Sequence, residues 1–123
     1  MKKIIFTENA PAAIGPYSQA VLSNGTLYVS GQIALVKVEA GANIEDETRQ
    51  VMENMKAILE AAEMTFENVV KCTIFVKDMN NFVAINGVYG EYFPTNPPAR
   101  ETVEVARLPK DVNVEISCVA VVG

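Results

Sequence analysis

The chain has 123 residues, half of them apolar, with a formal net charge of −5 and no histidine. A chain of this length reads as one domain, residues 1–123, that can bury a core without metal or disulfide staples. The missing imidazole excludes a Ser-His-Asp triad, a Cys-His pair and any zinc site with a histidine ligand. The scattered lysines form no basic run, which makes nucleic acid and acidic membrane surfaces poor partners.

In chain order, Met1-Lys2-Lys3-Ile4-Ile5-Phe6 has a basic start but is followed at once by Thr7-Glu8-Asn9. The apolar part is too short for a signal peptide, and no run approaches the roughly 20 residues of a membrane helix. We read Lys2 to Thr7 as a strand and expect a cytoplasmic protein. Ala10 to Gln19 is a loop punctuated by Pro11, Gly15 and Pro16, and Asn24-Gly25 joins strands Ala20 to Ser23 and Thr26 to Gln32 as a hairpin.

Asn43 caps a long helix whose apolar stripe runs through Ile44, Thr48, Val51, Met52, Met55, Ile58, Leu59 and Ala62. Arg49, four residues from both Glu45 and Glu53, reads as a surface ion pair on that helix. Val69 to Lys77 is a strand, and Asn80 or Asn81 caps a second helix that ends near Phe93 before Pro94. Glu101 to Ala106 and Val112 to Val122 complete a βββαβαββ order, an α+β fold with a mixed sheet.

Both Val69 to Val76 and the last strand are apolar on both faces: Val70, Cys72, Ile74 and Val76 oppose Val69, Thr73 and Phe75. Two helices cover one face only, so the other is expected to pack on sister subunits. Cys72 and Cys118, inside strands, read as buried reduced thiols.

Among the three arginines, Arg100 follows the stiff run Pro97-Pro98-Ala99 and presents a planar fork suited to a carboxylate. A salt bridge to Glu101, Glu104 or a partner subunit satisfies it equally well. Glu115, inside the apolar run Val114 to Val119, either meets a cation, is held protonated by desolvation, or sits exposed near the strand start. Asn86 shares a helix face with Phe82, Tyr89 and Phe93, as a core amide or a ligand contact. Gly87 and Gly90 on that helix suggest the close approach of another backbone. Tyr17 lies in the stiff turn Gly15 to Gln19, and Ser30-Gly31 ends a strand with a hydroxyl and exposed backbone N–H groups.

Together these segments resemble the RidA/YjgF family of reactive-intermediate deaminases. The matching pieces are Asn9 to Ala20, Val29-Ser30-Gly31-Gln32-Ile33, Val69 to Thr73, Phe82 to Phe93, Pro98-Ala99-Arg100, and Val103 through Lys110 to Glu115. The resemblance implies a chorismate-mutase-like fold, a homotrimer with ligand clefts between subunits, and no cofactor or metal. It also implies hydrolysis of enamines and imines such as 2-aminoacrylate, released by pyridoxal-phosphate-dependent serine or threonine dehydratases, to 2-keto acids and ammonia. On that footing Arg100 would hold the substrate carboxylate and Glu115 would activate water. Backbone N–H groups near Gly31 and Thr102 would orient charge, Tyr17 and Ser30 would shape the pocket, and Asn86 would anchor it. A non-catalytic trimeric module binding small ligands is the alternative. A ribonuclease role, also attached to the family, fits poorly with the acidic charge and absent histidine.

Two departures stand beside the arginine. Many relatives have Ser and Cys where this chain has Glu101 and Thr102, so no thiol acts there and Glu101 competes for Arg100 unless its carboxylate points away. Ala34 to Asn43 also lacks the usual proline-containing turn.

Overall fold

The computed structural model describes residues 1–123. The strands are β1 (Lys2–Ile5), β2 (Ala20–Ser23), β3 (Thr26–Gln32), β4 (Val69–Val76), β5 (Ala99–Glu104) and β6 (Val114–Val121). The helices are α1 (Leu35–Glu39), α2 (Ile44–Ala61) and α3 (Phe82–Glu91). The strands form one sheet in the order β1-β2-β3-β6-β4-β5, antiparallel except for the β4–β5 pair.

Most sequence expectations follow from local signals and hold. Asn24 and Gly25 both take positive φ, the requirement of a tight hairpin turn whose twist matches its strands. The Asn43 side chain accepts the Asp46 N–H at 2.8 Å, which satisfies one of the orphan donors opening α2. Both cysteines are buried and free.

Several boundaries and partners differ from the sequence reading. The first strand stops at Ile5, and α1 lies in the segment Ala34 to Asn43, to which the sequence reading assigned no element. The fifth strand starts two residues early because parallel pairing with β4 reaches back to Ala99, so Arg100 lies inside it. Neither Asn80 nor Asn81 caps α3 through its side chain. Asp78 does that work one step earlier, accepting the Asn80 N–H at 2.9 Å in a short 3₁₀ turn. Arg49 ignores its own helix and pairs with Glu91 of α3 at 2.8 Å, while Glu53 accepts the Tyr92 hydroxyl at 2.7 Å. A register shift between Val69 and Lys71 turns Val69 inward and Val70 outward, the reverse of simple alternation.

The helices cover one sheet face. Val51, Met52, Met55, Ile58 and Leu59 of α2 and Ile85 and Tyr89 of α3 meet Leu27, Val29, Cys72, Ile74, Val76, Val114, Ile116 and Cys118 in one core. Each fully buried aliphatic side chain contributes roughly 1.5–3 kcal/mol. Glu47 is wholly buried beside this core, where its carboxylate accepts both the backbone N–H and the side-chain amide of Asn113, at 2.9 and 2.7 Å. That contact pins the entry to β6.

The opposite face has no helix. Tyr28, Val70 and Val103 stand 53, 45 and 41% exposed on it, next to half-buried Phe75, Val119 and Val121. For a strand apolar on both sides, this is an uncovered surface rather than a finished one. Gly87 and Gly90 likewise have no atom near them: nothing lies within 4 Å of a Cβ built on either, so no backbone of this chain explains them.

Candidate functional site

Arg100 projects from the edge strand β5, directly opposite Cys72 of β4, onto the helix-covered face. Its Nη1 donates to Asn86 Oδ1 of α3 at 2.6 Å. Its Cζ lies 5.0 Å from the Tyr89 ring centre and 5.7 Å from that of Phe82. No carboxylate pairs with it; the ion pairs of the chain are Arg49–Glu91, Lys71–Glu101 and Lys77–Asp111. Thr102 follows on the same inward row, opposite Ile74, and its buried hydroxyl has no hydrogen-bond partner. The Tyr89 hydroxyl is likewise buried without a conventional partner, beside the Cys72 thiol. Burial pushes up both that phenol and that thiol.

Glu101, the next residue along the strand, points the other way. Its carboxylate accepts the Thr73 hydroxyl and pairs with Lys71 at 3.0 Å, both on β4's outward face. The Thr73 hydrogen bond, then Lys71, holds it below the usual carboxylate range. Strand alternation therefore turns Glu101 away from Arg100, while Glu104, on Arg100's own row, accepts the Met79 N–H at 2.8 Å instead of pairing with the guanidinium.

Glu115 stands on the outward face of β6, opposite Phe75 and between the buried Val114 and Ile116. Partial burial raises its carboxyl above the ordinary value, and no side chain of this chain hydrogen-bonds to it. It is packed over Gly31: a Cβ at that position would collide with the carboxylate, coming within 2.7 Å of Cδ. Gly31 lies in the irregular stretch of β3 between Val29 and Gln32, where the ladder to β6 shifts register. The glycine leaves room for Glu115 to lie over this strand; a larger side chain here would have to displace the carboxylate.

Ser30, beside it, is tied to the preceding loop. Its Oγ donates to Ser18 O at 2.6 Å and its N–H to Gln19 O at 2.9 Å. Buried Gln19 fixes the rest of that loop by bonding Thr7 N, Thr7 O and Pro11 O at 2.8, 3.1 and 2.9 Å. Tyr17 is thereby presented from a loop that its sequence neighbours hold rigid, with its ring half exposed. Gln19 is the positioning residue that composition and spacing did not flag. The lone signal for it was a polar residue at the threshold of an apolar strand.

The seven residues singled out by the sequence thus fall into two groups. Arg100, Asn86 and Thr102 share the inward side of β5 and α3. Glu115, Gly31, Ser30 and Tyr17 cluster on and around the outward side of β6 and β3. The sheet lies between the groups, and within one chain they do not form a single pocket. A cavity of about 720 Å³ is bounded by Pro11 to Ile14, Gly31 to Lys37, Gln50, Asn54, Pro109 and Lys110. Of the seven, only Tyr17 and Gly31 line it.

Comparison with known proteins agrees with this arrangement of segments. The model of the Endoribonuclease L-PSP family matches residues 7–122. A RutC family protein of Pyrococcus horikoshii is 52% identical over 124 residues, covering 98% of each chain. The 2-iminobutanoate/2-iminopropanoate deaminase of Salmonella typhimurium is 50% identical over 127 residues, again covering 98% of each. Among solved structures, Escherichia coli TdcF with bound serine superposes with a TM-score of 0.90 at 43% identity, over 98% of this chain and 99% of that one. With matches spanning nearly its whole length, the chain belongs to the Endoribonuclease L-PSP family, that of the RidA and YjgF proteins.

Proposed function

We propose that this protein, as a single domain of residues 1–123 acting in the cytoplasm, hydrolyses short-lived 2-imino acids, and their enamine tautomers, to 2-keto acids and ammonia. What supports this most is the uncompensated charge of Arg100: one neutral amide and two aromatic rings hold it, and its carboxylate neighbour faces away. A guanidinium kept still and unpaired is a site for a small carboxylate.

The two groups of residues lie on opposite sheet faces, so a complete site requires Arg100, Asn86 and Thr102 of one copy to meet Glu115, Gly31, Ser30 and Tyr17 of another. The uncovered apolar face supplies the surface for that association, in keeping with a chorismate-mutase-like homotrimer with clefts between subunits. In such a cleft Arg100 grips the substrate carboxylate through charge-assisted hydrogen bonds worth roughly 1.5–3 kcal/mol each. The imine carbon is already electrophilic. Glu115, with its raised carboxyl affinity for protons, takes a proton from the attacking water and returns one to the departing nitrogen. The tetrahedral carbinolamine then collapses, its C–N bond breaking as the carbonyl forms and ammonia leaves. The N–H groups around Gly31 and Thr102 orient the carboxylate, and Tyr17 and Ser30 bound the pocket.

Purified protein added to a pyridoxal-phosphate-dependent serine or threonine dehydratase is expected to speed keto-acid release. Arg100→Ala, checked for an intact fold, abolishes the effect. Binding of 2-oxobutanoate with no acceleration by wild type would instead favour a non-catalytic ligand-binding module, and RNA cleavage at physiological salt would favour a ribonuclease.

A further inference from the structure

Arg100 belongs to an edge strand and carries a long side chain with several free torsions, so something must hold its guanidinium in one orientation. Asn86 does part of this through a single nitrogen, Nη1. Phe82, Asn86 and Tyr89 lie four and three residues apart on α3 and all face the same guanidinium. The helix is itself held fast. Tyr89 packs tilted against Phe93 at 4.8 Å, Phe93 meets Phe66 edge to face at 5.3 Å, and Arg49 ties Glu91 to α2.

We propose that Phe82 and Tyr89 are positioning residues for Arg100, forming an aromatic clamp that orients its fork toward a bound carboxylate. The inference rests on the reading of Arg100 as the anion grip. A carboxylate partner would immobilise the arginine equally well but would cancel its charge and occupy its donors. Ring faces attract the cation through their quadrupole, use no N–H donor and leave the charge in place. Asn86 takes one donor and the rest of the guanidinium fork has no partner in the chain. The clamp thus reconciles rigidity with an open binding function, at the one arginine that needs both.

The test measures 2-oxobutanoate affinity by calorimetry and the KM and kcat of imine hydrolysis in wild type, Phe82→Leu, Tyr89→Leu and Tyr89→Phe, each with and without Arg100→Lys. Loss of either ring is expected to weaken binding and raise KM about fivefold with kcat little changed. Tyr89→Phe, keeping its ring, restores most of what Tyr89→Leu loses. Arg100→Lys, which has no planar fork to orient, costs several-fold less in the Phe82→Leu background than in wild type. A loss of packing alone would lower Tm without producing that coupling. Should Tyr89→Leu fail to fold, Phe82→Leu at its half-buried position and the upfield ring-current shift of the Arg100 side-chain protons in wild type decide the matter. An Arg100→Lys penalty that is large but equal in both backgrounds overturns the clamp alone. No Arg100→Lys penalty in wild type overturns the Arg100 reading and the clamp with it.

Discussion

The two faces of the sheet carry residues of similar polarity yet end in opposite states. On the inward face, Cys72, Ile74, Ile116 and Cys118 are sealed by α2 and α3, and Arg100 reaches α3 at the margin of that seal. On the outward face, Phe75, Val119 and Val121 meet no helix, and Glu115 lies over Gly31 with no partner of its own. The inward face stores stability and fixes an unpaired cation, whereas the outward face leaves apolar area and a raised carboxyl waiting for something outside the chain. On the function proposed above, one site is divided between the two sides of one sheet.

Substitutions can break that contrast. Ile116→Ala, in the sealed core, is expected to cost about 2–5 kcal/mol in denaturant unfolding. Val119→Asp, three residues along the same strand but outward, should dissociate the proposed assembly in sedimentation and abolish the proposed turnover while far-ultraviolet circular dichroism stays native. An equal loss of fold from both would erase the distinction between the faces.

The carboxyl of Glu115 sharpens it. Desolvation raises its proton affinity in the folded state above that in the unfolded chain. Its ionisation therefore costs stability, absent below the ordinary carboxyl value and fully present above the raised one. Glu115→Gln should raise Tm at neutral pH, with the gain vanishing as pH falls through that window. In wild type, kcat/KM is expected to fall as pH drops through the raised value, because the protonated carboxyl cannot take a proton from water. The smallest effect is expected from Glu101→Gln. Because that carboxylate is engaged with Thr73 and Lys71 and not with Arg100, 2-oxobutanoate affinity should change less than about twofold and stability little.

How much was legible in the sequence tracks how local each signal was. The Asn24-Gly25 turn, the Asn43 cap and the stripe of α2 depend on neighbours within a few residues, and they fold as read. The family motifs pointed to seven candidate site residues along the chain. Their grouping was illegible, because which face Arg100 and Glu115 occupy relative to one another depends on the registers of β5 on β4 and of β4 on β6. The β-bulge at Val69 to Lys71 inverted one face assignment for the same reason. Arg49 found Glu91 forty-two residues away in place of its helix neighbours, since packing of α2 on α3 outweighed a weak pairing along one helix.

Co-assembly of two inactive variants tests the divided site most directly. Arg100→Ala and Glu115→Gln chains, each inactive alone, are mixed, reassembled and assayed for imine hydrolysis. If each site takes its arginine from one copy and its glutamate from another, random mixing restores both groups to about a quarter of sites, and activity returns in that proportion. If mixed assemblies form and activity stays at the level of the separate variants, both groups act within one chain and the division across the sheet is wrong.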